Sequence, residues 1–151
     1  MRLYLDTSVY GGYFEPEFEA WTKRIFDRIR NGEHIILHSS LLEFELIGAP
    51  KHVRDLAREL PDGLVEKLQL SAEARQLALE YVHAKVVGMT SLADCQHIAM
   101  ATIAGADALV SWNFKHIVNI PRIRGYNSVN HRFGFRMLEI CTPLELISDG
   151  N

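Results

Sequence analysis

Short apolar runs alternate along this sequence with longer stretches of helical periodicity, and that alternation restricts the fold more than any other feature. Residues 2–5 (RLYL), 34–38 (HIILH), 65–70 (VEKLQL) and 108–112 (ALVSW) read as strands. Between the first two, residues 17–31 place Phe18, Trp21, Ile25, Phe26 and Ile29 at helical spacing, and Gly32 ends the run. Ser39 and Ser40 are suited to cap a helix over 41–48, and Pro50 opens another that ends before Pro61. Ser71 precedes a helix over 72–87, and Ser91 precedes one over 92–104 that Gly105 closes. The stretch from YNSVNH (126–131) to EICTP (139–143) reads as strand-like, with a last short helical turn after it. Strands that alternate with helices in this way predict a layered α/β sandwich on a mostly parallel sheet.

In such a sheet, ligands bind beyond the carboxyl ends of the strands. This rule sorts the acidic residues. Asp6 ends the first strand, and Glu43 and Glu45 begin the helix after the second. Asp94 lies in the first turn of the helix that returns before ALVSW, and Asn113 follows that strand. All are expected on one rim, whereas Asp107 precedes its strand and falls on the opposite edge. Glu43 and Glu45 point about 160° apart on a helix, so only one faces the rim, and apolar residues on all sides leave the choice open.

Carboxylates gathered in one place repel each other, and some would take up a proton unless a cation neutralises them. Oxygen ligands suit Mg²⁺ or Mn²⁺, which polarise a phosphodiester and activate water. Plainer roles compete. Asp6 is also suited to cap a helix or start a turn, and Ser91-x-x-Asp94 has the form of a capping box. His97 shares a helix face with Asp94 and is expected to be a hydrogen-bonded structural residue.

Charge is unevenly distributed. The net value is −3, yet residues 108–138 contain no Asp or Glu, while Lys115, Arg122, Arg124, Arg132 and Arg136 add five positive charges. Such a segment is suited to hold a polyanion that the acidic rim processes. The chain's 151 residues are consistent with one domain. No apolar run approaches the ~18 residues of a membrane span, and there is no secretion-signal core near the start, so a cytoplasmic location is expected. Cys95 and Cys141 lack metal-type spacing and are expected to be buried thiols.

The segments LYLDTSV, SSLLEFEL, SLADCQHIAMA and ALVSWNFKHI, in this order, resemble the PIN-domain family and within it the VapC-like toxin ribonucleases. The resemblance runs over residues 2–147, nearly all of the chain. It implies a three-layer α/β/α fold and Mg²⁺- or Mn²⁺-dependent cleavage of RNA. By position, Asp6 and Asp94 match the family's first and third acids. The second acid falls on Glu45, which follows the serine after the second strand by six residues. These three would bind the metal. Asn113 stands where the family often has a fourth acid, so the site has about one charge less. In that scheme Thr7, Ser8 and Ser111 hydrogen-bond the scissile phosphate, and Lys115, Arg122 and Arg124 contact the RNA backbone. His116 is expected to be structural. The resemblance further implies a homodimer and a small inhibitory antitoxin. Competing readings are a nuclease acting on DNA and a non-catalytic binding module of the same fold. A haloacid-dehalogenase-type phosphatase fits poorly, because Ser8 stands where its second Asp is needed.

Overall fold

The computed structural model describes residues 1–149. Its sheet has five strands, β1 (Arg2–Leu5), β2 (Ile35–Ser39), β3 (Val65–Leu68), β4 (Ala108–Val110) and β5 (Ile140–Cys141), in the order β3-β2-β1-β4-β5. Every pairing is parallel, with Tyr4 opposite Leu37 on one side and opposite Leu109 on the other. Parallel strands need crossovers, and helices supply them. The side-chain alternation of β1 divides the core in two. Tyr4, Leu37, Leu109 and Ile140 face α5 (Ala72–His83), α6 (Leu92–Ile103) and α7 (Ile120–Arg132). Leu3, Leu5, Ile36 and Val110 face α1 (Thr7–Gly12), α2 (Glu19–Arg30), α3 (Ser40–Ile47), α4 (Lys51–Arg58) and α8 (Pro143–Asp149). The expected α/β/α sandwich is therefore present.

One local reading is decided and another is corrected. Residues 7–12 form a helix, so of the two plainer roles open to Asp6 the cap is the one realised: its carboxylate accepts from the Ser8 N–H. Gly12 sits in that helix under the indole of Trp112, where an added Cβ would lie 2.7 Å from Cδ1.

The correction concerns YNSVNH, which is helical and not strand-like. Asn119 Oδ1 accepts from the Arg122 N–H at 3.0 Å, and Pro121 lies in the first turn, which together start α7. Asn127 and Asn130 then lie three residues apart on the buried face. Asn127 is hydrogen-bonded to both backbone groups of Leu138, at 2.7 and 3.0 Å. Asn130 accepts from the Tyr81 hydroxyl and donates to Thr102 Oγ1. Residues that resemble turn formers thus join α5, α6, α7 and the approach to β5 through satisfied polar groups. Among the described residues no helix is long and apolar enough to cross a membrane.

Candidate active site

β1 ends inside the sheet, so the residue after Leu5 leaves the carboxyl edge at its middle. Asp6 is almost fully buried there, and its N–H continues the ladder to the Val110 carbonyl at 3.2 Å. Its Oδ1 accepts from the Ser8 N–H (3.1 Å) and hydroxyl (2.5 Å), and its Oδ2 accepts from the Ser111 hydroxyl (2.8 Å). Burial raises the Asp6 carboxyl above the usual range. His97, Ser8 and Ser111 oppose that rise, and the negative charge of Asp94 adds to it.

Asp94 enters from the start of α6 and is half buried. The capping box is not formed, since the Ser91 side chain makes no capping bond and the Ser91 N–H donates to the Gly88 carbonyl. Asp94 instead faces Asn113, whose Nδ2 lies 3.4 Å from Asp94 Oδ1. Burial raises this carboxyl too; His97 and His116 counter the rise and Glu45 reinforces it. A single short segment after β4 thus holds both aspartates. Ser111 donates to Asp6, its oxygen accepts from the Asn113 N–H at 2.9 Å, and the Asn113 amide reaches Asp94.

On α3 the two glutamates separate. Glu43 pairs with His38 at 2.6 Å and is exposed. Glu45 turns toward the rim, where its Oε1 accepts from Thr7 Oγ1 (2.7 Å) and from His97 Nε2 (2.5 Å). Burial works to raise the Glu45 carboxyl, but the His97 hydrogen bond and charge and the Thr7 hydroxyl prevail and hold it low. His97 is buried, and its Nδ1 lies 2.6 Å from the Tyr4 hydroxyl, which is 2.8 Å from Ser39 Oγ. Ser39 Oγ also accepts from the Leu42 N–H and caps α3. A chain of hydrogen bonds therefore runs from the cap of α3 through Tyr4 and His97 to Glu45. Tyr4 was not singled out by sequence, although a tyrosine between Leu3 and Leu5 in a buried strand needs a partner for its hydroxyl.

The expected three-carboxylate metal cage is not formed as such. Among the described residues no group of three His, Cys, Asp or Glu side chains is placed to hold a metal ion. Glu45 is instead engaged by His97 and Thr7, which leaves Asp6 and Asp94 as the two of these three acids with no histidine hydrogen bond. Two raised carboxylates still fit a hard divalent ion, because Mg²⁺ takes one or two carboxylates and completes its shell with water.

The expected phosphate contacts also change. Ser111 is fully buried, and it and Ser8 give their hydroxyl hydrogens to Asp6, while Thr7 gives its hydrogen to Glu45. All three therefore orient carboxylates. Asn113 Oδ1 accepts from the His116 N–H at 3.0 Å, so its amide nitrogen, not its oxygen, faces Asp94. Lys115 and Arg124 are exposed; Arg122 is partly buried and donates from Nη1 to the Val86 carbonyl.

No family model and no curated protein matches this sequence. Solved structures do resemble the fold. The toxin VapC20 of Mycobacterium tuberculosis, described as cleaving the sarcin–ricin loop, is 14% identical with a TM-score of 0.58, over 91% of this chain and 98% of that one. VapBC2 from Rickettsia felis, bound to a DNA fragment from its promoter, is 17% identical with a TM-score of 0.55, over 94% of this chain and 98% of that one. This chain has the VapC-like PIN fold. At these identities the likeness is one of fold. Within the PIN fold of this chain, Asp6 directly follows β1, Glu45 lies on α3 after β2, and Asp94 lies in the first turn of α6, so segments far apart in sequence meet at the carboxyl edge of the sheet.

Proposed function

We propose that this protein is a Mg²⁺- or Mn²⁺-dependent endoribonuclease, a single PIN domain over residues 1–151. The observation that supports this reading is the bridge from Asp6 through Ser111 and Asn113 to Asp94 at the carboxyl edge of β1 and β4. Asp6 and Asp94 would hold the ion, with water completing its shell. When bound, such an ion polarises the scissile phosphate and lowers the cost of deprotonating water.

This chain's own residues do the rest. Ser8 and Ser111 fix both oxygens of Asp6. Asn113 turns the Asp94 carboxylate. Glu45, ionised and held by His97 and Thr7, presents its remaining oxygen as an acceptor for a proton from the attacking water. Hydrolysis forms one new P–O bond and breaks the ester P–O bond; a solvent water protonates the leaving oxygen, and Glu45 returns the proton it took to solvent. Lys115, Arg122 and Arg124, in the segment free of acids, would contact backbone phosphates.

The similarity to a toxin that cleaves the sarcin–ricin loop and to a VapBC complex supports a toxin role. In this reading the protein is a cytoplasmic homodimer inhibited by a small antitoxin. Two features favour a second reading, a non-catalytic module: the absence of a three-residue metal group among the described residues, and the neutral Asn113. End-labelled RNA and DNA incubated side by side with Mg²⁺ or Mn²⁺ separate these cases. The nuclease reading predicts metal-dependent internal cuts in RNA that Asp94→Asn abolishes. Equal cutting by wild type and variant, or none with either metal, overturns it.

A further inference from the structure

Beside the carboxylates lies an aromatic group that the phosphodiester chemistry does not use. Phe18 and Trp112 stack with centroids 4.4 Å apart and planes 22° apart, and Phe114 leans against both at 6.3 and 6.1 Å. This base is rigid. Trp112 Nε1 donates to Thr22 Oγ1 at 2.9 Å, the Thr22 hydroxyl donates to the Phe18 carbonyl at 2.8 Å, and the Trp112 N–H donates to Ser8 Oγ at 2.9 Å. Gly12 leaves the indole no room to shift toward α1. Phe114 itself is 51% exposed.

Its position gives the exposed ring a use. Phe114 is one residue, ~3.8 Å along the chain, beyond Asn113, whose amide faces Asp94. Exposed Lys115 follows it, in the stretch that contains no acid. An apolar π-face on fixed rings, beside a phosphate-processing rim and a cation, matches a splayed nucleotide, whose base stacks while its phosphate pairs with charge.

We propose that Phe114, held against the Phe18–Trp112 stack beside Asn113, stacks an unpaired nucleobase next to the scissile phosphate. The inference rests on the ribonuclease reading for its chemistry, but its test does not need cleavage. A single-stranded RNA of mixed sequence carrying aminopurine as a fluorescent base at several positions is titrated with protein, with EDTA present to prevent turnover. Wild type is expected to quench the fluorescence. Phe114→Leu is expected to lose about 5- to 150-fold in affinity, the range for one base–aromatic stack, and Phe114→Trp to restore it. Because the ring is half exposed, the variants should melt within a degree or two of wild type, which excludes misfolding as the cause.

In cleavage assays the same factor should appear in KM and not in kcat. An RNA abasic beside the cut should weaken wild type by a similar factor and leave Phe114→Leu unchanged. Equal affinity of wild type and Phe114→Leu overturns the proposal, as does a preference for duplex RNA or equal losses of both proteins on abasic RNA. Quenching that depends on Phe114 in a protein that never cleaves would sink the nuclease reading and leave the stacking site standing.

Discussion

Two fully buried tyrosines contrast in whether the hydroxyl finds a partner, and removing each hydroxyl measures what the hydrogen-bond chain behind Glu45 contributes. Tyr4 and Tyr10 are both fully buried. The Tyr4 hydroxyl lies 2.8 Å from Ser39 Oγ and 2.6 Å from His97 Nδ1. The Tyr10 hydroxyl has no hydrogen-bond partner among the described residues. Tyr4→Phe keeps the ring but removes two hydrogen bonds, each worth about 0.5–1.5 kcal/mol net, and leaves the buried His97 nitrogen unpaired. A loss of roughly 2–3 kcal/mol follows, or about 4–12 °C in Tm for a domain of this size. Tyr10→Phe removes an unsatisfied buried hydroxyl and should be neutral or stabilising. Urea unfolding of both variants, with unchanged m-values, provides the comparison. Equal effects of the two substitutions, or a Tyr4→Phe loss below about 0.5 kcal/mol, would show that the chain from Ser39 to Glu45 contributes nothing to the fold.

The carboxylates should make opposite contributions to the pH dependence of stability in the metal-free protein. Asp94 is raised, so the folded state holds its proton more tightly, and its contribution declines as pH rises from ~4 through the folded value. Asp94→Asn should therefore unfold at higher urea than wild type at neutral pH, with the gain shrinking toward pH ~4. Glu45 is lowered, so its contribution is present above ~4.3 and is lost as pH falls through the folded value; Glu45→Gln should destabilise at neutral pH and not in acid. Gly12→Ala places a Cβ 2.7 Å from Trp112 and should cost about 1–3 kcal/mol by thermal melting, whereas Gly63→Ala, with nothing within 4 Å, should cost far less. Lys115→Ala should lower RNA affinity across sequences and reduce the slope of log affinity against log salt by about one.

Much of this architecture is legible in the sequence because topology does the geometric work. A charge directly after a core strand, and another in the first turn of the helix preceding a central strand, must share an edge when the strands are parallel. Asp6 and Asp94 follow from that rule alone. Glu45 does not, because α3 is apolar all round and its orientation is decided by Thr7 and His97, which are distant in sequence. The helical state of 126–131 was hidden for a related reason. Asn127 and Asn130 have turn-like composition, and the groups that satisfy them inside the protein lie on Leu138, Tyr81 and Thr102. The serines after Asp6 and before Asn113 looked like phosphate ligands, and only their hydrogen-bond directions reveal them as supports for a carboxylate.

Calorimetric titration of the metal-free protein with Mn²⁺ probes the shared site most directly. Wild type is predicted to bind, with affinity rising as pH increases through the raised carboxyls, and Asp6→Asn and Asp94→Asn are each predicted to abolish the same binding event. Identical heats from all three proteins would contradict the account.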